Sequence, residues 1–258
     1  MIPKIIHYCW FGGKPLPESA RKCIASWRKF LPEYEIKEWN ESNYDVHKIL
    51  YTDEAYAAGK YAFVSDYARF DILYHEGGVY FDTDVEIIKP LDDIIARGPF
   101  MGREAGSYLE KILSLDSVGL AVNPGLGIGA PAGLQVYWEL LDNYDKLSFI
   151  NADGSLNDKT IVSYTSEVLI RHGLNGNNAD PQMVDDIWIY PSDVFCPVNH
   201  TKGNKLTITP RTVSIHHYDC SWINHNTVSF KLHLIKNWMM RHFGEEWIVR
   251  IADFIKGR

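Results

Sequence analysis

Gly77-Gly78-Val79-Tyr80-Phe81-Asp82-Thr83-Asp84-Val85 decides how this 258-residue chain is read. The two glycines supply the backbone freedom that stops a helix and turns the chain sharply. Val79-Tyr80-Phe81 is a β-branched and aromatic run that enters a sheet. Asp82 and Asp84 then fall at the carboxyl end of that strand, where open α/β sheets bind ligands. Both carboxylates can serve one site because the strand ends and twists at the motif, which therefore sits at an edge.

Upstream, Ser65 can cap a helix running to Glu76, and Asp66 and Arg69, three residues apart, share one face of it. Earlier still, Ile2 to Trp10 reads as a first strand closed by Gly12-Gly13-Lys14-Pro15. Ala20, Cys23, Ile24, Trp27 and Phe30 recur at three- and four-residue steps between Pro17 and Pro32, so a helix follows. Tyr34 to Trp39 is a second strand, and this β-α-β opening makes the class α/β, a sheet with helices on its faces. Downstream, Asn123 to Pro131 is a glycine-rich loop or broken strand that permits close approach to a ligand. Leu134 to Tyr144 is helical, and Asn151 to Asp158 is an exposed loop. No internal repeat is found. Residues 231–258 interleave Leu232, Leu234, Trp238, Phe243, Trp247 and Phe254 with lysines and arginines, the pattern of amphipathic helices with basic faces.

Composition narrows the function. A hydrophobic fraction of 46% supports a real core. A formal charge of −7 offers no broad positive surface for nucleic acid. Cys9, Cys23, Cys196 and Cys220 form neither a CxxC pair nor a secreted disulfide spacing, and no signal-peptide pattern precedes them. A reduced, cytoplasmic location is expected. No window approaches the roughly 20 apolar residues of a bilayer span. The carboxyl end is a candidate for peripheral contact with the inner face of a membrane that carries a lipid-linked acceptor.

A hard divalent cation that bridges two phosphates needs a few oxygen ligands and open positions. Asp84 is the first choice as a direct ligand, with Asp82 reaching a ribose or the metal through water. Alone, an Asp-x-Asp occurs by chance in surface loops, and Asp66 and Arg69 alone can be an exposed intrahelical ion pair worth about 0.3–0.5 kcal/mol. The functional account instead sets Asp66 to accept from sugar hydroxyls and Arg69 to donate to them.

Taken together, Ile2-Pro3-Lys4-x-Ile6-His7-x-x-Trp10-x-Gly12, Ser65-Asp66-x-x-Arg69 and Gly77-Gly78-x-Tyr80-x-Asp82-x-Asp84 resemble the DXD-containing sugar transferases. These include yeast initiating α-mannosyltransferases, bacterial capsular-polysaccharide transferases and, distantly, the glucosylating domain of large clostridial toxins. The resemblance covers residues 1 to 90 and returns near 215 to 222. It implies a GT-A type nucleotide-sugar-binding fold, a mixed central sheet flanked by helices with a helical carboxyl-terminal segment. It also implies a Mn²⁺ ion, with Mg²⁺ as the alternative, and transfer that retains the anomeric configuration.

In that likeness Trp10 matches the aromatic that stacks on the base, Tyr80 and Asp82 match ribose and donor contacts, and Asp84 matches the metal ligand. Ser214-Ile215-His216-His217-Tyr218-Asp219-Cys220-Ser221-Trp222 resembles the family's closing segment. His217 is the candidate second protein ligand there, with His216 and Ser221 kept as alternatives, since neighbouring strand residues face opposite ways. An imidazole ligand favours manganese. Trp222 resembles the tryptophan that closes over the diphosphate, its indole N–H donating to a phosphate oxygen. The catalytic set is thus Asp66, Arg69, Asp82 and Asp84, and the donor contacts are Trp10, Tyr80, Asp82, Ser221 and Trp222.

The whole chain, 1–258, reads as one domain: residues 1–100 the nucleotide-sugar half, 101–222 the acceptor half and metal-site closure, 223–258 the amphipathic helices. The donor expected is a UDP-hexose, UDP-galactose or UDP-glucose ahead of GDP-mannose, and the acceptor a glycan or lipid-linked glycan of polysaccharide biosynthesis. A haloacid-dehalogenase-like phosphatase with Asp82 as nucleophile and Asp84 as acid/base is the main rival, and a non-catalytic nucleotide- or carbohydrate-binding module is a third reading. Oligomeric state is not specified by the sequence.

Overall fold

The computed structural model of the chain describes residues 1–104, 120–199 and 205–218. Its elements in order are β1 (Ile5–Cys9), α1 (Glu18–Phe30), β2 (Glu35–Trp39), α2 (Leu50–Ala57), α3 (Tyr61–Glu76), β3 (Gly78–Tyr80), β4 (Val85–Ile87), α4 (Asp92–Arg97) and β5 (Phe100–Gly102). A 3-10 turn at Pro124–Leu126 leads to β6 (Ile128–Ala130), α5 (Gln135–Tyr144) and α6 (Ile161–Arg171). They are followed by β7 (Gln182–Val184), β8 (Ile187–Tyr190), the short α7 (Ser192–Phe195), β9 (Val198–Asn199), β10 (Lys205–Leu206) and β11 (Ser214–His216). The segment 223–258, expected as amphipathic helices, lies outside the described residues, as do Ser221 and Trp222. Among the described residues no helix is long and apolar enough to cross a membrane.

Seven strands form one sheet in the order β2-β1-β3-β6-β5-β8-β7. The pairs β1/β2, β1/β3 and β5/β8 are parallel, while β3/β6, β5/β6 and β7/β8 are antiparallel. This is the expected α/β class, a mixed central sheet with helices on its faces. The faces follow from the two-residue period of a strand. Ile6, Tyr8, Val79 and Phe81 join one core with Ile24 and Trp27 of α1. Cys9 and Tyr80 join the other core, with Ala68 and Phe70 of α3 and Val136 and Leu140 of α5. Asp82, two residues beyond Tyr80, therefore continues toward the α3 side.

The helix before the motif starts one turn earlier than expected. Ser65 lies inside α3, its hydroxyl donating to the Tyr61 carbonyl at 3.1 Å rather than capping the helix. Tyr61 and Phe63, which pack against the core, carry the apolar pattern upstream of Ser65. Asp66 and Arg69 consequently sit in the body of the helix, facing the sheet. At the other end Gly77 and Gly78 have φ of 66° and 109°. A side chain at Gly78 would also collide with the His7 ring, 2.8 Å from its Nε2.

His7, in the middle of β1, ties that strand to the start of β3 and the end of β2. Its Nε2 lies 2.9 Å from the Gly77 carbonyl and its Nδ1 3.0 Å from the Trp39 indole nitrogen. A carbonyl only accepts and an indole N–H only donates, so the ring is neutral with its proton on Nε2. Burial lowers the His7 pKa from 6.5 to about 4. Between those values the unfolded chain binds the extra proton and the folded chain does not. The His7 contribution to stability is therefore complete above pH 6.5 and is lost as pH falls toward 4, a total of about 3 kcal/mol. In urea denaturation at pH 7 and pH 4, the stability gap between wild type and His7→Gln narrows by about that amount. A gap independent of pH excludes a buried neutral imidazole.

Candidate active site

The parallel strands β1 and β3 end side by side, with Ile6 opposite Val79 and His7 opposite Tyr80. Past β3 the backbone is held by two bonds, Phe81 N–H to His7 O at 3.2 Å and Asp82 N–H to Gly125 O at 3.2 Å. It then turns, with Val85 N–H donating to Asp82 O at 3.1 Å. This turn carries Asp82-Thr83-Asp84 off the sheet edge and starts β4, which leaves the main sheet to pair antiparallel with β11.

Arg69 is only 3% exposed. Its Nη2 lies 2.8 Å from Asp66 Oδ1 and 3.3 Å from Asp82 Oδ1, its Nε donates to the Ser65 carbonyl at 3.2 Å, and its guanidinium lies 5.0 Å from the centre of the Tyr80 ring. Tyr80 Oη also donates to Asp82 Oδ1, at 3.1 Å. Burial works against the Arg69 charge, but Asp82, Tyr80 and Asp66 outweigh it and hold the pKa above its ordinary value. Burial pushes the Asp66 carboxyl up to about 7, against the pull of Arg69. The pair is thus a buried element of the site and not a solvated helix-surface contact.

The other oxygen of Asp82 faces a second cluster. His216 Nε2 lies 3.1 Å from Asp84 Oδ1 and 3.9 Å from Asp82 Oδ2. One ligand atom from each of Asp82, Asp84 and His216 falls within 4.8 Å of the others. Burial lowers the His216 pKa, but Asp84, with its charge and hydrogen bond, and then Asp82 and Glu104 raise it above the usual value. The buried Nδ1 of His216 has no hydrogen-bond partner among the described residues. Two carboxylates and one imidazole are a donor set that suits a divalent cation, and the cation would offset a concentration of negative charge that Arg69 answers only in part.

His217, the candidate ligand from sequence, is placed elsewhere. The β4/β11 register sets Ile215 opposite Glu86 and His216 opposite Val85. His217 therefore takes the face of Glu86, where its Nε2 meets Glu86 Oε2 at 2.9 Å, and its side chain is 41% exposed. The pleat gives His216 to the carboxylates. Trp10 follows β1 directly, half-buried, its indole N–H donating to the Lys14 carbonyl at 2.5 Å. Asp66, Arg69, Tyr80, Asp82 and Asp84 are gathered together at these strand ends.

The glycine-rich loop read at Asn123 to Pro131 and Glu104, which the sequence reading did not single out, complete the surroundings. The loop at Asn123-Pro124-Gly125 presses on the motif so closely that a Cβ on Gly125 would lie 2.1 Å from Asp82 Oδ2. Glu104, just past β5, accepts from Asn123 Nδ2 at 2.7 Å and from Tyr218 Oη at 3.1 Å. Cys9 is buried beside Arg69 and Tyr80, and that burial pushes its thiol up to about 12, so it is no nucleophile at neutral pH.

Residues 17–101 match the family described as the glycosyltransferase sugar-binding region containing a DXD motif. The expected resemblance is shown over that stretch, which includes Asp66, Arg69, Asp82 and Asp84 but neither Ile2–Gly12 nor the segment around His216. Among individual relatives, the inositol phosphoceramide mannosyltransferase 1 of Schizosaccharomyces pombe is 29% identical over 111 residues, 39% of this chain and 33% of the relative. An uncharacterized glycosyltransferase of Acanthamoeba polyphaga mimivirus is 33% identical over 110 residues, 39% of this chain and 42% of the relative. The matches thus span less than half the length of these curated relatives. Of solved structures, the PaToxG glycosyltransferase gives a TM-score of 0.45 at 20% identity over 66% of this chain and 69% of that one.

The buried guanidinium gives a direct test. Replacing Arg69 with Met leaves Asp66 and Asp82 without their cation, and a loss of about 3–5 kcal/mol in unfolding free energy is expected by urea titration at pH 7.5. A change below 1 kcal/mol is incompatible with Arg69 as the internal counter-ion.

Proposed function

We propose that this chain is a metal-dependent, retaining hexosyltransferase that takes its sugar from a nucleotide-sugar donor. The observation that carries the proposal is the Asp82–Asp84–His216 cluster at the end of β3, sharing one of its carboxylates with the buried Asp66–Arg69 pair. The match of residues 17–101 to a DXD-containing sugar-binding region supports it.

In this reading Asp82, Asp84 and His216 hold the cation, and Mn²⁺ is favoured over Mg²⁺ by the imidazole nitrogen. When bound, the ion acts as a Lewis acid toward the donor's diphosphate. Tyr80 and Arg69 hold Asp82 Oδ1, which would leave Oδ2 for the cation. Asp66 and Arg69 fix the hydroxyls of the donor sugar, Trp10 supports the base at the end of β1, and Tyr80 and Asp82 lie at the ribose. The bond between the anomeric carbon and the donor phosphate oxygen breaks, the acceptor hydroxyl bonds that carbon from the same face, and the departing diphosphate takes the hydroxyl proton. The protein's work is to position the reactants and to offset developing charge.

The match of residues 17–101 to a sugar-binding region of glycosyltransferases favours this reading over the rival phosphatase. UDP-galactose or UDP-glucose is the preferred donor. The name of one relative, a mannosyltransferase acting on inositol phosphoceramide, keeps GDP-mannose and a lipid-borne acceptor in the set to be tested. We place the reaction in the cytoplasm, at the inner face of the membrane when the acceptor is lipid-linked.

Calorimetric titration of the metal-stripped protein with UDP and GDP, each with and without Mn²⁺, tests the proposal. Manganese-dependent binding of one nucleotide is expected, abolished in Asp84→Ala and weakened about 10-fold or more in His216→Ala. His217→Ala should bind like wild type. Failure of both nucleotides to bind in the presence of Mn²⁺ sinks the proposal.

A further inference from the structure

Glu104 is a buried carboxylate outside every motif, yet two separate parts of the site converge on one of its oxygens. Its main chain is fixed by an N–H bond to the Ala121 carbonyl at 2.9 Å, one residue past the bridge between Arg103 and Val122. Oε2 accepts from Asn123 Nδ2 at 2.7 Å. The amide of Asn123 is thereby oriented, because its Oδ1 accepts from Gly125 N–H at 2.8 Å. Gly125 in turn accepts from the Asp82 main chain at 3.2 Å and packs against Asp82 Oδ2. This first arm runs from Glu104 to one cluster carboxylate.

The second arm runs to the imidazole. Oε2 also accepts from Tyr218 Oη at 3.1 Å, and the Tyr218 ring stands edge-on to the His216 ring, centroids 4.0 Å apart at 84°. Tyr218 reaches that position with φ of +53°, a left-handed backbone that is unfavourable for a residue with a side chain. Such a strained residue persists only where its surroundings hold it. Here the hold on the side chain is Glu104, together with Cys196, whose sulfur lies 3.1 Å from the same hydroxyl.

We infer that Glu104 is a positioning residue that sets Asp82, through Asn123 and Gly125, and His216, through Tyr218, in a single arrangement able to hold a divalent cation. The inference rests on the reading of the Asp82–Asp84–His216 cluster as a cation site. Glu104 acts by the placement of Oε2, so a glutamine that presents its amide oxygen there can replace it, and an alanine cannot.

The test is binding of Mn²⁺ alone to the full chain, followed by the electron-spin-resonance signal of the free ion, for wild type, Glu104→Ala, Glu104→Gln and Tyr218→Phe. Glu104→Ala is expected to weaken binding about 10- to 100-fold, Glu104→Gln to restore it to within a few-fold of wild type, and Tyr218→Phe, which cuts one arm, to fall between. Should Glu104→Ala not fold, the Tyr218→Phe and Glu104→Gln results decide. Wild-type affinity in Glu104→Ala or Tyr218→Phe overturns the inference alone, as does an equal loss in Glu104→Gln and Glu104→Ala. Absence of Mn²⁺ binding by wild type overturns the cation-site reading and the inference with it.

Discussion

A buried guanidinium has to be answered by negative charge, and in this molecule the answer determines the shape of the site. Arg69 is removed from water in the body of α3, where an unpaired charge would cost several kcal/mol. Asp66 on the same helix supplies one partner and Asp82, beyond β3, supplies the other. The second contact ties α3 to the sheet edge. It also divides the labour of Asp82: Oδ1 belongs to Arg69 and Tyr80, and Oδ2 faces His216. One carboxylate thereby joins the Asp66–Arg69 pair to the Asp84–His216 cluster, and neither can shift without the other.

The balance of charge follows the same logic. Asp66, Asp82, Asp84 and Glu104 surround Arg69 and His216, so the region holds more acid than base. An anionic ligand would be repelled from such a site unless a cation came with it. The raised pKa of His216 expresses this excess, since three carboxylates favour the imidazolium although burial opposes it. A divalent ion held by Asp82, Asp84 and His216 would replace that proton and bring positive charge to the site.

How much of this could be read beforehand depended on the range over which each feature is determined. The β1-α1-β2 opening, the Gly77-Gly78 stop and the strand carrying Tyr80 were legible, because local propensity and apolar spacing set them. The strands β5, β7 and β8 are three or four residues long, too short for a two-residue period to stand out, and went unread, while β6 lies in the stretch read as a loop or broken strand. Asp66 and Arg69 were legible as a pair on one helix face. Their burial was not, for it depends on the sheet that covers them. Choosing His216 over His217 requires the phase of the β11 pleat, which is set by pairing with β4, some 130 positions away in the chain. Glu104 stands outside any pattern and acquires meaning only where Asn123 and Tyr218 meet it.

The route by which His216 arrives explains why a site with so many long-range parts can still be rigid. Among the described residues, β11 joins no strand of the seven-stranded sheet and pairs only with β4, just after the turn that displays the carboxylates. Main-chain bonds continue past the strand, with His217 N–H donating to the Asp84 carbonyl at 3.0 Å. The imidazole and Asp84 are therefore placed by the same ladder, and a slip of one residue would turn His216 to the opposite face, away from Asp84. On the far side of β4, the Trp27 indole of α1 donates to the Val85 carbonyl at 2.7 Å and fixes the strand to the core. The cluster is thus a product of backbone hydrogen bonding and helix packing before it is a set of side chains, which is the condition for holding charged groups in a preorganised arrangement.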